Sequence, residues 1–131
     1  MAISSGIDIV SIERVRKAAL NKRFLTRVFT ENELGSLPQA IKPAYTKHLA
    51  CVFAAKEACV KALSLNPGFA GISVSWKDIE VTTGVEKILA IKLHNEAKKL
   101  FAGSTFFLSI SFANDVAIAL VVMEWTKNGY W

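Results

Sequence analysis

The segment Phe53-Ala-Ala-Lys-Glu-Ala-Cys-Val-Lys61 sets three charged side chains, Lys56, Glu57 and Lys61, inside a markedly apolar stretch. Glu57 and Lys61 are four residues apart, which on a helix puts them on one face a turn from each other. The bland outcome of that spacing is an exposed ion pair worth about 0.2–0.5 kcal/mol. The chemical outcome is a carboxylate for a hard cation, flanked by ammonium groups for phosphate oxygens. Asp8 poses the same choice. An acidic residue between Ile7 and Ile9 is costly in a strand unless it faces solvent, caps a neighbour or meets a cation. Ser109-Ile-Ser111 offers alternating hydroxyls near a strand end, before a turn whose backbone N–H groups could receive a phosphate.

The elements around these residues have readable patterns. Ala2 to Val10 is isoleucine-rich and reads as a first strand. Ser11 is a candidate N-cap for a helix in which Ile12, Val15, Ala18 and Ala19 share a face, leaving Arg14, Arg16 and Lys17 largely toward solvent. Thr30 and Glu33 form a capping box for a short helix ending near Gly35 or before Pro38. From Pro43 to about Leu65 runs the longest helical candidate, with Leu49, Val52, Phe53, Val60 and Leu63 at three- and four-residue steps and Pro67-Gly68 as its stop. Trp76 to Thr82 predicts a strand, Gly84 a turn, and Leu89, Ile91 and Leu93 a second strand. Asn95 is a candidate cap for a short helix ending at Gly103. Thr105 to Ser111 and Val116 to Glu124 predict two strands joined through Ala113-Asn114-Asp115. No repeat, low-complexity tract or linker interrupts the chain, so the expectation is one α+β domain over residues 1–126 with a peripheral tail at 127–131.

At 131 residues, with 52% hydrophobic and 21% charged residues, the chain can build a core and is not of disordered composition. Its apolar runs are too short to span a bilayer, and Asp8 inside the first of them, without a basic leader, argues against a signal peptide. Cys51 and Cys59 on one helix would stand about 12 Å apart, too far for a disulfide, so both read as reduced thiols of a cytoplasmic protein. The net charge is +5 and is concentrated up to Val28, where six basic residues face Asp8 and Glu13. That density favours an acidic partner, although a solvated helix face would look the same. A nucleic-acid partner is disfavoured, because basic and aromatic residues are not interleaved.

Taken together these pieces resemble one family, the 4′-phosphopantetheinyl transferases of the holo-[acyl-carrier-protein] synthase type. The matching residues are Gly6-Ile-Asp8-Ile-Val10 with Ile12-Glu-Arg14, then Phe29-Thr-Glu31 with Glu33-Leu34, and Phe53 to Ala58 with Lys61-Ala-Leu63. Trp76 to Val81, Ser109-Ile-Ser111 and Ala117-Ile-Ala119 follow in order, so the pattern runs from about residue 5 to 122. The resemblance implies a single-domain fold with a mostly antiparallel sheet packed on a long central helix. It implies Mg²⁺-dependent transfer of the phosphopantetheine arm of coenzyme A to a serine of acyl carrier protein, with adenosine 3′,5′-bisphosphate released. Asp8 and Glu57 would hold the metal, Glu57 would help deprotonate the serine, and Lys61 would neutralise the displaced phosphate. Lys56, Lys61, Ser64, Ser109, Ser111 and Phe112 would line the coenzyme A site. Arg14, Lys17 and Arg23 would dock the acidic carrier, and the expected assembly is a homotrimer with interfacial active sites.

The chain departs from that pattern at the coenzyme A end. Val52 stands where an arginine is common, Phe112 where a histidine is usual, Ser64-Leu-Asn66 in place of a glycine-containing turn, and Glu86 where a proline often sits. A lost charge-assisted phosphate contact costs about 1.5–3 kcal/mol. Lys42, Lys47 and His48 are the candidates to replace it. The alternative expectation is a relative that binds carrier protein or coenzyme A without efficient turnover.

Overall fold

The computed structural model describes residues 1–35, 43–70, 73–84, 86 and 88–126. Its elements are β1 (Ala2–Ser11), α1 (Ile12–Ala19), α2 (Lys22–Val28), α3 (Glu31–Gly35), α4 (Pro43–Ser64), β2 (Ile79–Thr83), β3 (Leu89–Leu93), α5 (Asn95–Leu100), β4 (Thr105–Ala113) and β5 (Val116–Trp125). Short 3-10 turns occupy Pro67–Phe69 and Trp76–Asp78. Every ladder is antiparallel. One sheet has the order β1-β5-β4, and β2 with β3 forms a separate pair. The expected α+β fold is therefore present, with its strands divided between two sheets.

Period-two burial in β1 and β5 explains how the larger sheet meets α4. Ser4 and Gly6 of β1 and Ala117, Ala119, Val121 and Met123 of β5 are buried, while Ile3, Ile7, Ile9 and Leu120 are exposed on the other face. The helix answers with a run of small residues, since Ala50, Ala54, Ala55, Ala58 and Ala62 are all fully buried. Small side chains on both partners bring the backbones close, and Gly6 is where the approach is tightest. A Cβ there would overlap the Ala58 carbonyl oxygen and stand 2.8 Å from Ala62 N and from Lys61 Cβ. Two residues earlier, Ser4 Oγ donates to the Ala62 carbonyl at 2.8 Å.

Local signals set the helix boundaries. Ser11 Oγ accepts from Arg14 N at 3.2 Å, so β1 passes directly into α1. Thr30 Oγ1 accepts from Glu33 N at 3.2 Å and Thr30 N donates to Glu33 Oε1 at 2.8 Å, the reciprocal capping box. The helix it opens ends at Gly35, and Pro38 lies outside the described residues. Two expectations need correction. Trp76–Asp78 is a 3-10 turn rather than strand, because Asp78 Oδ2 accepts from Ser75 N at 3.0 Å and curls the chain before β2 begins at Ile79. The cap of α5 is His94, not Asn95, whose φ is +55° and whose side chain instead donates to Asp78 Oδ1 at 2.8 Å. Cys51 and Cys59 are free thiols, and burial pushes Cys59 up to about 12, far from a reactive thiolate. No helix among the described residues is long and apolar enough to cross a membrane. The tail at 127–131 lies outside them.

Candidate active site

The close packing of β1 on α4 decides what Asp8 does. Gly6 lets the strand lie against the helix at Ala58 and Lys61, and Asp8, two residues on, projects from the same face. Lys61 Nζ donates to Asp8 Oδ1 and to the Ile7 carbonyl, both at 2.9 Å. Lys61 is thus bound to the strand, and a bridge between elements stands in place of the bland Glu57–Lys61 pair within α4. The Asp8 side chain is 17% exposed. Glu57, one turn before Lys61, is half-buried, and burial first, then the Asp8 charge, hold its carboxyl above the ordinary value against the opposing pull of Lys61.

These three residues border a cavity of about 510 Å³ that Arg14 of α1, Phe24 of α2 and Phe53 of α4 also line. Such a size suits a small-molecule site, which spans roughly 300–1,000 Å³. Phe24 carries no signal of a site in the sequence, and Phe53 reads there as one residue of the apolar face of α4, because an aromatic residue at helical spacing reads first as core. Their rings stand 6.0 Å apart, half-buried at the cavity wall. Gly6 was visible only as part of a motif; a glycine inside a strand is itself the signal for a close backbone approach.

Lys56, expected among the coenzyme A contacts, is turned into the core of its own chain and does not line this cavity. Its side chain is fully buried, with Nζ 2.6 Å from Glu33 Oε1 and donating to the Val28 carbonyl at 2.7 Å and the Trp76 carbonyl at 3.1 Å. Burial holds the ammonium below its ordinary pKa, and Glu33 and Glu80 oppose that shift. Glu33 in turn accepts from Val81 N at 2.9 Å. Thr30 Oγ1 bonds Glu80 Oε2 at 2.5 Å, and His94 Nε2 stands 3.3 Å from Glu80 Oε1. This network joins α2, α3, α4 and β2, and reaches His94 at the start of α5.

The remaining expected ligands are scattered within one chain. Ser64 closes α4, its hydroxyl donating to the Lys61 carbonyl at 2.7 Å. Ser109 and Ser111 are exposed on the outer face of β4; through β5 they align with Ile7 and Ile9, which point away from α4. The structure therefore does not bring these serines to the Asp8–Glu57 pair of their own chain. Phe112 is half-exposed at the end of β4, with Lys47 Nζ 3.6 Å above its ring centroid. Lys17 and Arg23 are exposed on α1 and α2, and of the three expected docking residues Arg14 alone lines the cavity. Val52 is buried in the core and borders a cavity of about 290 Å³ with His48, which burial holds below its ordinary pKa. Glu86 is exposed at φ +66°, and Lys42 lies outside the described residues.

The Asp8 charge adds to burial in raising the proton affinity of Glu57, and two carboxylates so placed could hold a cation. Among the described residues no group of three or more His, Cys, Asp or Glu side chains could hold a metal ion. A pair still fits Mg²⁺, which usually takes one or two carboxylates and completes its shell with phosphate oxygens and water. Zn²⁺, which takes at least three protein ligands with His or Cys among them, does not fit.

The sequence profile described as "4′-phosphopantetheinyl transferase superfamily" matches residues 4–121. A holo-[acyl-carrier-protein] synthase of Alkaliphilus metalliredigens is 42% identical, over 89% of this chain and 94% of its own length. One from Caldicellulosiruptor saccharolyticus is 38% identical, over 95% and 98% respectively. Among solved structures, the ACPS–CoA complex of Chronobacterium ammoniagenes superimposes with a TM-score of 0.81 at 26% identity, covering 97% of this chain and 100% of that one.

Proposed function

The chain belongs to the 4′-phosphopantetheinyl transferase superfamily and is of the holo-[acyl-carrier-protein] synthase type, and from that premise we propose which residues carry its reaction. It transfers the 4′-phosphopantetheine arm of coenzyme A to a serine of acyl carrier protein, releasing adenosine 3′,5′-bisphosphate. A bond forms between the serine oxygen and the arm's phosphorus, the pyrophosphate P–O bond breaks, and the serine proton passes to a base. The observation that carries the assignment is Asp8, tied to Lys61 across the β1–α4 contact and facing Glu57 in a cavity that Arg14 also lines.

Asp8 and Glu57 would hold Mg²⁺, which when bound would neutralise the pyrophosphate charge. Glu57 takes the serine proton, its raised affinity bringing it nearer to a hydroxyl donor than an ordinary carboxylate. Lys61 exchanges its Asp8 contact for the oxygens of the displaced phosphate. In-line transfer needs little else from the protein, since positioning and charge neutralisation carry most of the catalysis. Arg14, Lys17 and Arg23 form a basic approach for an acidic carrier. At the nucleotide end, Lys47, held over Phe112, supplies the cation that Val52 does not.

We further propose that three copies assemble through the outer face of the large sheet. Ile7, Ile9 and Phe107 are 61%, 63% and 55% exposed there, apolar side chains clustered on one face as at an interaction surface. Ile7, Ile9 and Ile118 also border a cavity with Asp8 and Lys61, so the active site lies at the edge of this face. Ser109 and Ser111 then serve a neighbouring copy. The enzyme works in the cytoplasm as one domain over residues 1–126.

Incubation with coenzyme A, Mg²⁺ and apo acyl carrier protein, followed by intact mass measurement of the carrier, tests the reading. One arm is gained per carrier with Mg²⁺ and none with excess chelator; gain unaffected by chelator would remove the metal from the proposal.

A further inference from the structure

The charged side chains lining the catalytic cavity are Asp8 and Glu57 against Arg14 and Lys61, so among the described residues their formal charges cancel. A cavity so balanced exerts little net pull on a dication. One of its two carboxylates is also engaged, since Lys61 Nζ donates to Asp8 Oδ1 and to the Ile7 carbonyl, both at 2.9 Å. That bridge can open. The Lys61 side chain is 53% exposed, and an ion pair so open to solvent is weak. Lys61 borders both the 510 Å³ cavity and a second of about 290 Å³, so its flexible stem has room to turn.

Resting on the function proposed above, we infer that Lys61 couples the two ligands of this site. In the free enzyme it occupies Asp8 and disfavours the divalent cation; the pyrophosphate of coenzyme A draws it away and so admits the cation. A dication on a carboxylate that already holds an ammonium meets repulsion worth roughly tenfold in affinity even at the dielectric of water. Pyrophosphate oxygens compete for the lysine by charge-assisted hydrogen bonds and add negative charge of their own. Each ligand therefore strengthens the other, and the strengthening is reciprocal. A purely supporting role for the same contact, in which Lys61 holds Asp8 in place, has the opposite sign: losing the lysine would then weaken the metal.

The test counts free Mn²⁺, a carboxylate- and phosphate-binding stand-in for Mg²⁺, by electron paramagnetic resonance in titrations of the whole chain. Titrations run at about pH 8, above the carboxylate range, so that a proton on Glu57 does not compete. Coenzyme A is present or absent and carrier protein is left out, so nothing turns over. The wild-type enzyme is expected to bind Mn²⁺ weakly by itself and about tenfold or more tightly with coenzyme A. Without coenzyme A, Lys61→Met and Lys61→Gln should each bind Mn²⁺ roughly tenfold more tightly than wild type, and both should gain less when it is added. Equal or weaker binding by the two variants would overturn the inference and leave Lys61 a bystander or a support for Asp8. Wild-type affinity that coenzyme A leaves unchanged would overturn it as well. Mn²⁺ bound as tightly by Glu57→Gln as by wild type would overturn the metal pair itself, and the coupling with it.

Discussion

Lys61 reaches across from α4 to hold Asp8 on β1, Nζ to Oδ1 at 2.9 Å, and this bridge exists because Gly6 lets strand and helix touch. The placement of the Asp8 carboxylate therefore depends on a glycine two residues away. Gly6→Ala must separate the two elements, since its Cβ meets backbone that cannot rotate away. Overpacking of this kind costs about 1–3 kcal/mol or more. Thermal denaturation and turnover measured together should show a lower Tm, with activity falling more than the unfolded fraction accounts for. Full activity would mean that the spacing of β1 and α4 does not set the site.

Glu57 should titrate above an ordinary carboxylate. Burial and Asp8 raise it and Lys61 lowers it, so carboxyl-resolved NMR of the free enzyme should place its midpoint above 4.5, lower in Asp8→Asn and higher in Lys61→Met. Because the folded state holds this proton more tightly than the unfolded chain, Glu57 opposes folding increasingly as pH rises from 4.5 through its folded midpoint. Glu57→Gln should therefore raise Tm at neutral pH while removing activity. A lower Tm in that variant would contradict the assigned cause of the shift.

Lys56 should behave as a structural residue. Removing one member of a buried pair leaves the other uncompensated, and Lys56→Met is expected to lose about 3–5 kcal/mol of stability. Denaturant titration checks this, and the double variant Lys56→Met/Glu33→Leu should recover much of the loss. Wild-type stability with a raised KM for coenzyme A would return Lys56 to the ligand contacts.

Lys47 should matter for coenzyme A and not for the carrier. Losing a charge-assisted phosphate contact costs about 1.5–3 kcal/mol, so Lys47→Met should raise KM for coenzyme A roughly ten- to a hundredfold. An unchanged KM for coenzyme A would exclude this substitute cation.

The outer sheet face should carry the assembly. Ile9→Asp buries an unpaired charge if copies meet there, so sedimentation should shift from trimer to monomer, with turnover lost in step. A wild-type monomer, or an Ile9→Asp trimer, would place the contact elsewhere or remove it.

What the sequence made legible follows physical range. Ser11, Thr30 and Glu33 announced their helix starts because capping is a bargain struck within three residues. Asp8 and Glu57, 49 positions apart in the numbering, stood out only through a chain-long resemblance. Lys56 looks in the sequence like a phosphate ligand because it stands beside Glu57, and only the fold shows that Val28, Trp76 and Glu33 surround it. The strand read at Trp76 failed to a local competitor, the Ser75–Asp78 hydrogen bond. Ser109 and Ser111 could not be placed because their face of the sheet is turned from their own chain's carboxylates. Phe24 and Phe53 hid among core aromatics, and nothing short of the cavity distinguishes them.

The central claim is that Asp8 and Glu57 form the working centre of the transferase. The most direct measurement is the intact mass of apo acyl carrier protein after incubation with coenzyme A, Mg²⁺ and either the wild-type enzyme or folded Glu57→Ala. The account predicts the full mass of the phosphopantetheine arm on the carrier with wild type and an unmodified carrier with Glu57→Ala. Equal modification by the two proteins would contradict it.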